Sequence, residues 1–155
     1  MRQMPSLARP SLLFILMGAA LFLFASTAAA AEYASVLKDE VNIRSGPDTK
    51  TEVLWTLFKG FPLQVTSRQG NWAQVVDYEG DKGWIATFLL SKEKTVIVKV
   101  DSANLRAGAG QQYEIVAEIK RGVIFTPLTT QGEWVKVKHA DGTTGWIFSK
   151  LLWPN

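Results

Sequence analysis

The chain has 155 residues, with 17 Lys and Arg against 14 Asp and Glu, and no cysteine. Lack of cysteine excludes disulfides, thiolate metal ligands, a cysteine nucleophile and the acylated cysteine of a lipoprotein leader. Two of the basic residues, Arg2 and Arg9, stand at the very start, so the rest of the chain carries 15 basic and 14 acidic residues, a net +1; nucleic-acid binding, which depends on clustered cations meeting phosphates, is not expected.

In chain order, the first feature is the segment 1–30. Arg2 and Arg9 are followed by the apolar and small run Leu12–Ala25, and Ala28-Ala29-Ala30 supplies an A-x-A ending. This is the pattern of a secretory signal peptide. The apolar run is shorter than the roughly 20 residues a membrane-spanning helix needs, which favours a cleaved leader over an anchor. Membrane contact is thus expected only in transit, and the mature protein is expected in the periplasm or the medium.

Beyond the leader the periodicity is that of short strands. Tyr33–Leu37 is the first expected strand, and Leu63-Gln64-Val65 and Ala73-Gln74-Val75 alternate apolar with polar. Turn signals at Ser45-Gly46-Pro47-Asp48, Lys59-Gly60, Gln69-Gly70-Asn71 and Glu79-Gly80-Asp81 separate the strands. After Ser91–Lys94 comes the β-branched run Thr95–Val100, then Val135-Lys136-Val137, with further turns at Gly108-Ala109-Gly110, Arg121-Gly122, Gln131-Gly132 and Asp141-Gly142. No amphipathic helix longer than a single turn is expected.

The second series repeats the first at a constant spacing of 62 residues. Val41-Asn42-Ile43-Arg44-Ser45-Gly46 returns as Ala103-Asn104-Leu105-Arg106-Ala107-Gly108, and Gly83-Trp84-Ile85 as Gly145-Trp146-Ile147. Glu52 meets Glu114, Trp72 meets Trp134 and Val75 meets Val137 without an insertion. Such self-similarity marks two copies of one small all-β unit. With only Ser91–Lys94 between them, the copies are expected to form a fixed or narrowly hinged pair.

The series Asn-x-[Ile/Leu]-Arg-x-Gly, Gly-x-Trp-x-x-Val, Gly-x-x-Gly-Trp-Ile and a closing Leu-Leu resembles the bacterial SH3-like domain, twice over. The resemblance implies two tandem small β-barrels of five or six strands, over 31–91 and 94–155, behind the signal peptide of 1–30. It also implies an exported, non-catalytic binding module for cell-wall peptidoglycan or its peptides, or alternatively an adaptor that docks on a periplasmic or secreted protein or hydrolase. No cofactor or metal is implied. Two weak sites on one repeating polymer would reinforce each other. Leu89 and Leu151 stand where the polyproline-binding relatives carry a Tyr, so polyproline is not the implied ligand.

Candidate site residues follow from parity. Inward Val135 and Val137 put Trp134 on the opposite face with Lys136 and Lys138, and Trp72 shares its face with Gln74. These tryptophans either form a ligand platform or cover the barrel rim or the other copy. Trp84 and Trp146, between a Gly and an inward Ile, either contact ligand or pin the closing strand. Trp55 and Tyr113 have no aromatic counterparts in the other copy and either diversify the ligand or fill gaps. Asn42, Arg44, Gly46 and Glu52, with Asn104, Arg106, Gly108 and Glu114, read as a framework in which Arg closes the loop by an ion pair to Glu or by hydrogen bonds to backbone; carboxylate recognition by Arg is the alternative. His139, the single histidine, reads as a solvated turn residue without catalytic companions, and the acidic turn residues Asp77, Glu79, Asp81 and Asp141 would form a paired-carboxylate site only by chance of packing.

Overall fold

A computed structural model describes residues 30–155, so the expected leader lies outside the described residues except for Ala30. The first copy holds β1 (Glu32–Val36), β2 (Val41–Arg44), β3 (Val53–Leu57), β4 (Pro62–Gln69), β5 (Trp72–Val76), β6 (Lys82–Ala86) and β7 (Leu90–Ser91). The second holds β8 (Val96–Val98), β9 (Ser102–Arg106), β10 (Ile115–Lys120), β11 (Ile124–Gln131), β12 (Trp134–Lys138), β13 (Thr144–Phe148) and β14 (Leu152–Trp153). The strand orders are β3-β2-β6-β5-β4-β1-β7 and β10-β9-β13-β12-β11-β8-β14, the same antiparallel topology twice. Each sheet has seven strands where five or six were expected. The last of each is only two residues long and follows a 3-10 turn, at Thr87–Leu89 and Ser149–Leu151, too short to show an alternation.

One face of each sheet lines a core. Val41 and Ile43 on β2, Leu63 and Val65 on β4, Ala73 and Val75 on β5 and Ile85 on β6 are all buried, every second residue of their strands. Ala103, Leu105, Phe125, Val137 and Ile147 do the same in the second copy. Alternation fails at two places per copy, and at equivalent ones. Register shifts at Val65/Ser67 and Pro127/Thr129 skip Thr66 and Leu128, and shifts between β2 and β3 and between β9 and β10 skip Leu54 and Val116. These are β-bulges, which bend a strand and leave the extra residue unpaired. Hence the exposure of Val53 and Ile115, which alternation counted from Leu57 and Ile119 would have hidden.

Two kinds of glycine account for much of the recurring framework. Gly70 and Gly132 take φ of +56° and +58° at the first position of the two-residue loops joining β4 to β5 and β11 to β12, where glycine is favoured. Gly83 and Gly145 instead allow close approach: a Cβ on Gly83 would lie 2.2 Å from Ile43 Cγ2, and one on Gly145 2.5 Å from Leu105 Cγ.

The copies share packed surface. Ile97, in β8 of the second copy, is fully buried in the core of the first, and Ile124 and Trp153 pack against that same core. Its neighbours Val96 and Val98 face the second core, so all three residues of β8 are buried. Thr95 Oγ1 donates to Gly60 O at 2.7 Å, Ser35 Oγ to Glu93 O at 2.9 Å, and Tyr33 meets Trp153 edge-on at 5.5 Å. Burial raises the pKa of Tyr78, while the charge of Arg121 in the other copy acts in the opposite direction.

Candidate functional site

Strands β5 and β6 put Trp72 and Ala86 opposite each other on the outer face, with Gln74 opposite Trp84 and Arg44 opposite Trp84 from the other side. Between this face and the loops after β1 and β2 lies a groove of about 680 Å³, lined by Trp72, Asn42, Arg44, Thr49 and Phe88 among others. Lys38 and Glu40 also line it, giving both signs of charge beside two aromatics. Phe88, carried on the 3-10 turn, is 74 % exposed, the most exposed of the large apolar side chains.

The groove has a counterpart in the second copy, lined by Ala103, Asn104, Arg106, Trp134 and Phe148 among others, of about 190 Å³. Trp134 and Phe148 face each other across paired strands with ring centroids 5.6 Å apart. Lys150 Nζ lies 5.7 Å from the Phe148 ring centre and 3.1 Å from Glu133 Oε1.

The arginines of the repeated motif hold backbone. Arg44 Nη1 donates to Thr51 O at 2.8 Å, and Arg106 Nη1 to Gln111 O at 3.0 Å and Tyr113 O at 2.9 Å. The side chains of Glu52 and Glu114 form none of the ion pairs found among the described residues; their carbonyls accept from Ser45 N and Ala107 N, both at 2.9 Å. The ion-pair alternative is therefore replaced by the backbone one, and Arg44 keeps guanidinium N–H groups beyond the one that holds Thr51. Gly46 and Gly108 sit under the residue that follows five positions on: Thr51 packs over Gly46, and the Tyr113 ring lies where a Cβ on Gly108 would be.

The remaining aromatics scatter. Trp55 is half-buried against the first core, with its ring beside Gly83. Trp84 stands in register between Arg44 and Gln74, and Trp146 between Arg106 and Lys136, both half-buried and outside the groove linings. Tyr113 covers its own loop and is not among the residues lining the second groove. Phe88 and Thr49 were not singled out from sequence; the available signal was that Phe88 faces Lys150 across the repeat, which marks it as outside the shared framework.

The turns between β5 and β6 and between β12 and β13 hold the acidic residues. Carboxylates of Asp77, Glu79 and Asp81 come within 4.8 Å of one another, and Asp77 Oδ1 accepts from the backbone N–H groups of Glu79 and Asp81 at 2.9 and 3.0 Å. That is an Asx-type turn, for which a short acceptor side chain suffices. His139 is not fully solvated as expected: its side chain is 37 % exposed and its ring meets Phe125 edge-on at 5.6 Å.

The bacterial SH3 domain family matches residues 37–92 and again 99–154. The chain is 28 % identical over 140 residues to the putative N-acetylmuramoyl-L-alanine amidase YrvJ of Bacillus subtilis (strain 168), a match covering 83 % of this chain and 27 % of that protein. It is 30 % identical over 105 residues to the probable endopeptidase p60 of Listeria monocytogenes serovar 1/2a, covering 65 % of this chain and 22 % of that one. Among solved structures, NlpC1 from Trichomonas vaginalis overlays with a TM-score of 0.37 at 18 % identity, over 95 % of this chain and 52 % of that one. The chain thus spans about a quarter of the length of the curated relatives it matches. With both matched stretches falling on the two seven-stranded sheets, the chain belongs to the bacterial SH3 domain family, as a tandem pair.

Proposed function

We propose that the protein is an exported, non-catalytic module that binds cell-wall peptidoglycan or the peptides it carries. The observation that supports this reading most is the groove of the first copy, where Trp72 and Phe88 stand beside Arg44, Asn42 and Lys38. A glycan–peptide ligand offers both complements: apolar sugar faces for the aromatics and stem-peptide carboxylates for the guanidinium. Covering one Trp, about 150–250 Å², contributes roughly 4–6 kcal/mol before the costs of association, enough to dominate a weak site. The relatives add a second line of support, one being named an N-acetylmuramoyl-L-alanine amidase and the other an endopeptidase. The shared stretch is the duplicated SH3 region, a minor part of each of them.

The test is co-sedimentation with purified sacculi at low salt. The wild-type protein is expected in the pellet and Trp72→Ala in the supernatant, with the variant's fold checked by circular dichroism. Wild-type protein left in the supernatant would remove the reading. An adaptor that docks on an envelope protein predicts instead that wall sedimentation, if any, is indifferent to Trp72.

A further inference from the structure

We infer that the pair is functionally one-sited: the first copy carries the ligand groove, and Phe148 closes the equivalent groove of the second. The inference rests on the peptidoglycan reading above and assigns it to one copy, with a single muropeptide as occupant.

The two grooves are the same place in the fold. The second lining maps onto the first at the 62-residue spacing, with Asn104 on Asn42, Arg106 on Arg44, Trp134 on Trp72 and Phe148 on Ala86. What differs is volume, about 680 against 190 Å³. Small-molecule sites occupy roughly 300–1,000 Å³, so the first falls inside that range and the second below it.

The difference traces to a few side chains. Ala86 and Phe148 pair with Trp72 and Trp134 respectively on the outer face. A methyl group leaves the Trp72 ring accessible from the groove, whereas the Phe148 ring meets Trp134 at 5.6 Å and takes the contact a ligand would make. Phe88, the exposed aromatic of the first groove, is replaced by Lys150, which lies over Phe148 and is tethered to Glu133. Of the ionic residues lining the first groove, Arg44 is retained as Arg106, but Lys38 and Glu40 become Val100 and Ser102. Second-copy Trp134 is thereby satisfied within its own fold, and the duplicated motif does not imply two reinforcing sites.

Calorimetric titration of the whole exported protein with a soluble disaccharide–tetrapeptide muropeptide tests this. One equivalent is expected. Trp72→Ala and Ala86→Phe should each weaken binding by about tenfold or more, as loss or burial of a central aromatic anchor does, while Trp134→Ala changes it by less than about twofold. Ala86→Phe installs the residue that the same fold already holds at position 148, and melting curves check that it folds; should it not, the Trp72 and Trp134 variants still decide. Phe148→Ala should admit a second equivalent, and its failure to do so would overturn the role of Phe148. Two equivalents in the wild type, or a loss in Trp134→Ala matching that in Trp72→Ala, would overturn the one-site assignment while leaving the peptidoglycan reading standing. No binding by the wild type would overturn both.

Discussion

The turn after β5 and its counterpart after β12 reach one shape with different side chains. Asp77 accepts two backbone N–H groups in the first, whereas in the second position 77 becomes His139 and Asp141 takes over, accepting from Thr143 N at 2.8 Å. Hydrogen bonds from the backbone and side chain of Thr143, then from His139, lower the Asp141 pKa from 3.8 to about 2. A folded pKa below the unfolded one means stabilisation that is present above the unfolded value and lost as pH falls through the folded one. Asp141→Asn should therefore flatten the part of the acid dependence that lies between pH 3.8 and about 2, read as the thermal midpoint across that window. The effect is small because the carboxylate is exposed to solvent, and a variant retaining the full wild-type slope would refute it. At this scale the sequence was only partly legible. Gly80 and Gly142 announced both turns, but nothing in a one-dimensional pattern says which carboxylate turns back onto the chain, or that His139 leans on Phe125.

Strands were more readable than side chains. Alternation placed Val75, Ile85, Val137 and Ile147 inward and so Trp72, Trp84, Trp134 and Trp146 outward, and burial follows that division. It failed where a strand gains a residue: the bulges at Leu54, Thr66, Val116 and Leu128 depend on sheet curvature, which no local window encodes. The groove was half legible for a related reason. Trp72, Asn42 and Arg44 stood out as repeated residues, while Ala86 and Phe148 were invisible because their meaning is the space they leave, a property of the neighbours. Curvature also explains the crossing at Gly83, where β6 runs against β2 with no room for a methyl group. Gly83→Ala is expected to cost about 1–3 kcal/mol, the range for overpacking a filled core, and Gly145→Ala a similar amount against Leu105. Urea denaturation with an unchanged m-value would measure it; wild-type midpoints for both variants would show that the crossing relaxes freely.

For the molecule as a whole, the repeat is exact in topology and broken in packing. The β-branched run Thr95–Val100 holds β8, whose side chains serve two interiors: Val96 and Val98 the second, Ile97 the first. The equivalent of Ile97 in β1 is Ser35, buried and bonded to the Glu93 carbonyl, so the junction is asymmetric by construction. Ile97→Ala should destabilise by about 2–5 kcal/mol, as large-to-small changes in filled cores do. Its signature is location, since amide exchange should accelerate in β2 and β6 although the substitution lies in β8. Faster exchange confined to β9–β14 would argue that the cores are independent. With both cores tied to β8, thermal unfolding is expected as one transition for the pair, and calorimetry resolving two would count against that coupling. A lone first copy moved into another protein would arrive with an uncovered socket where Ile97 belongs, so the tandem, and not the single barrel, is the smallest piece of this sequence that can be grafted or inherited intact.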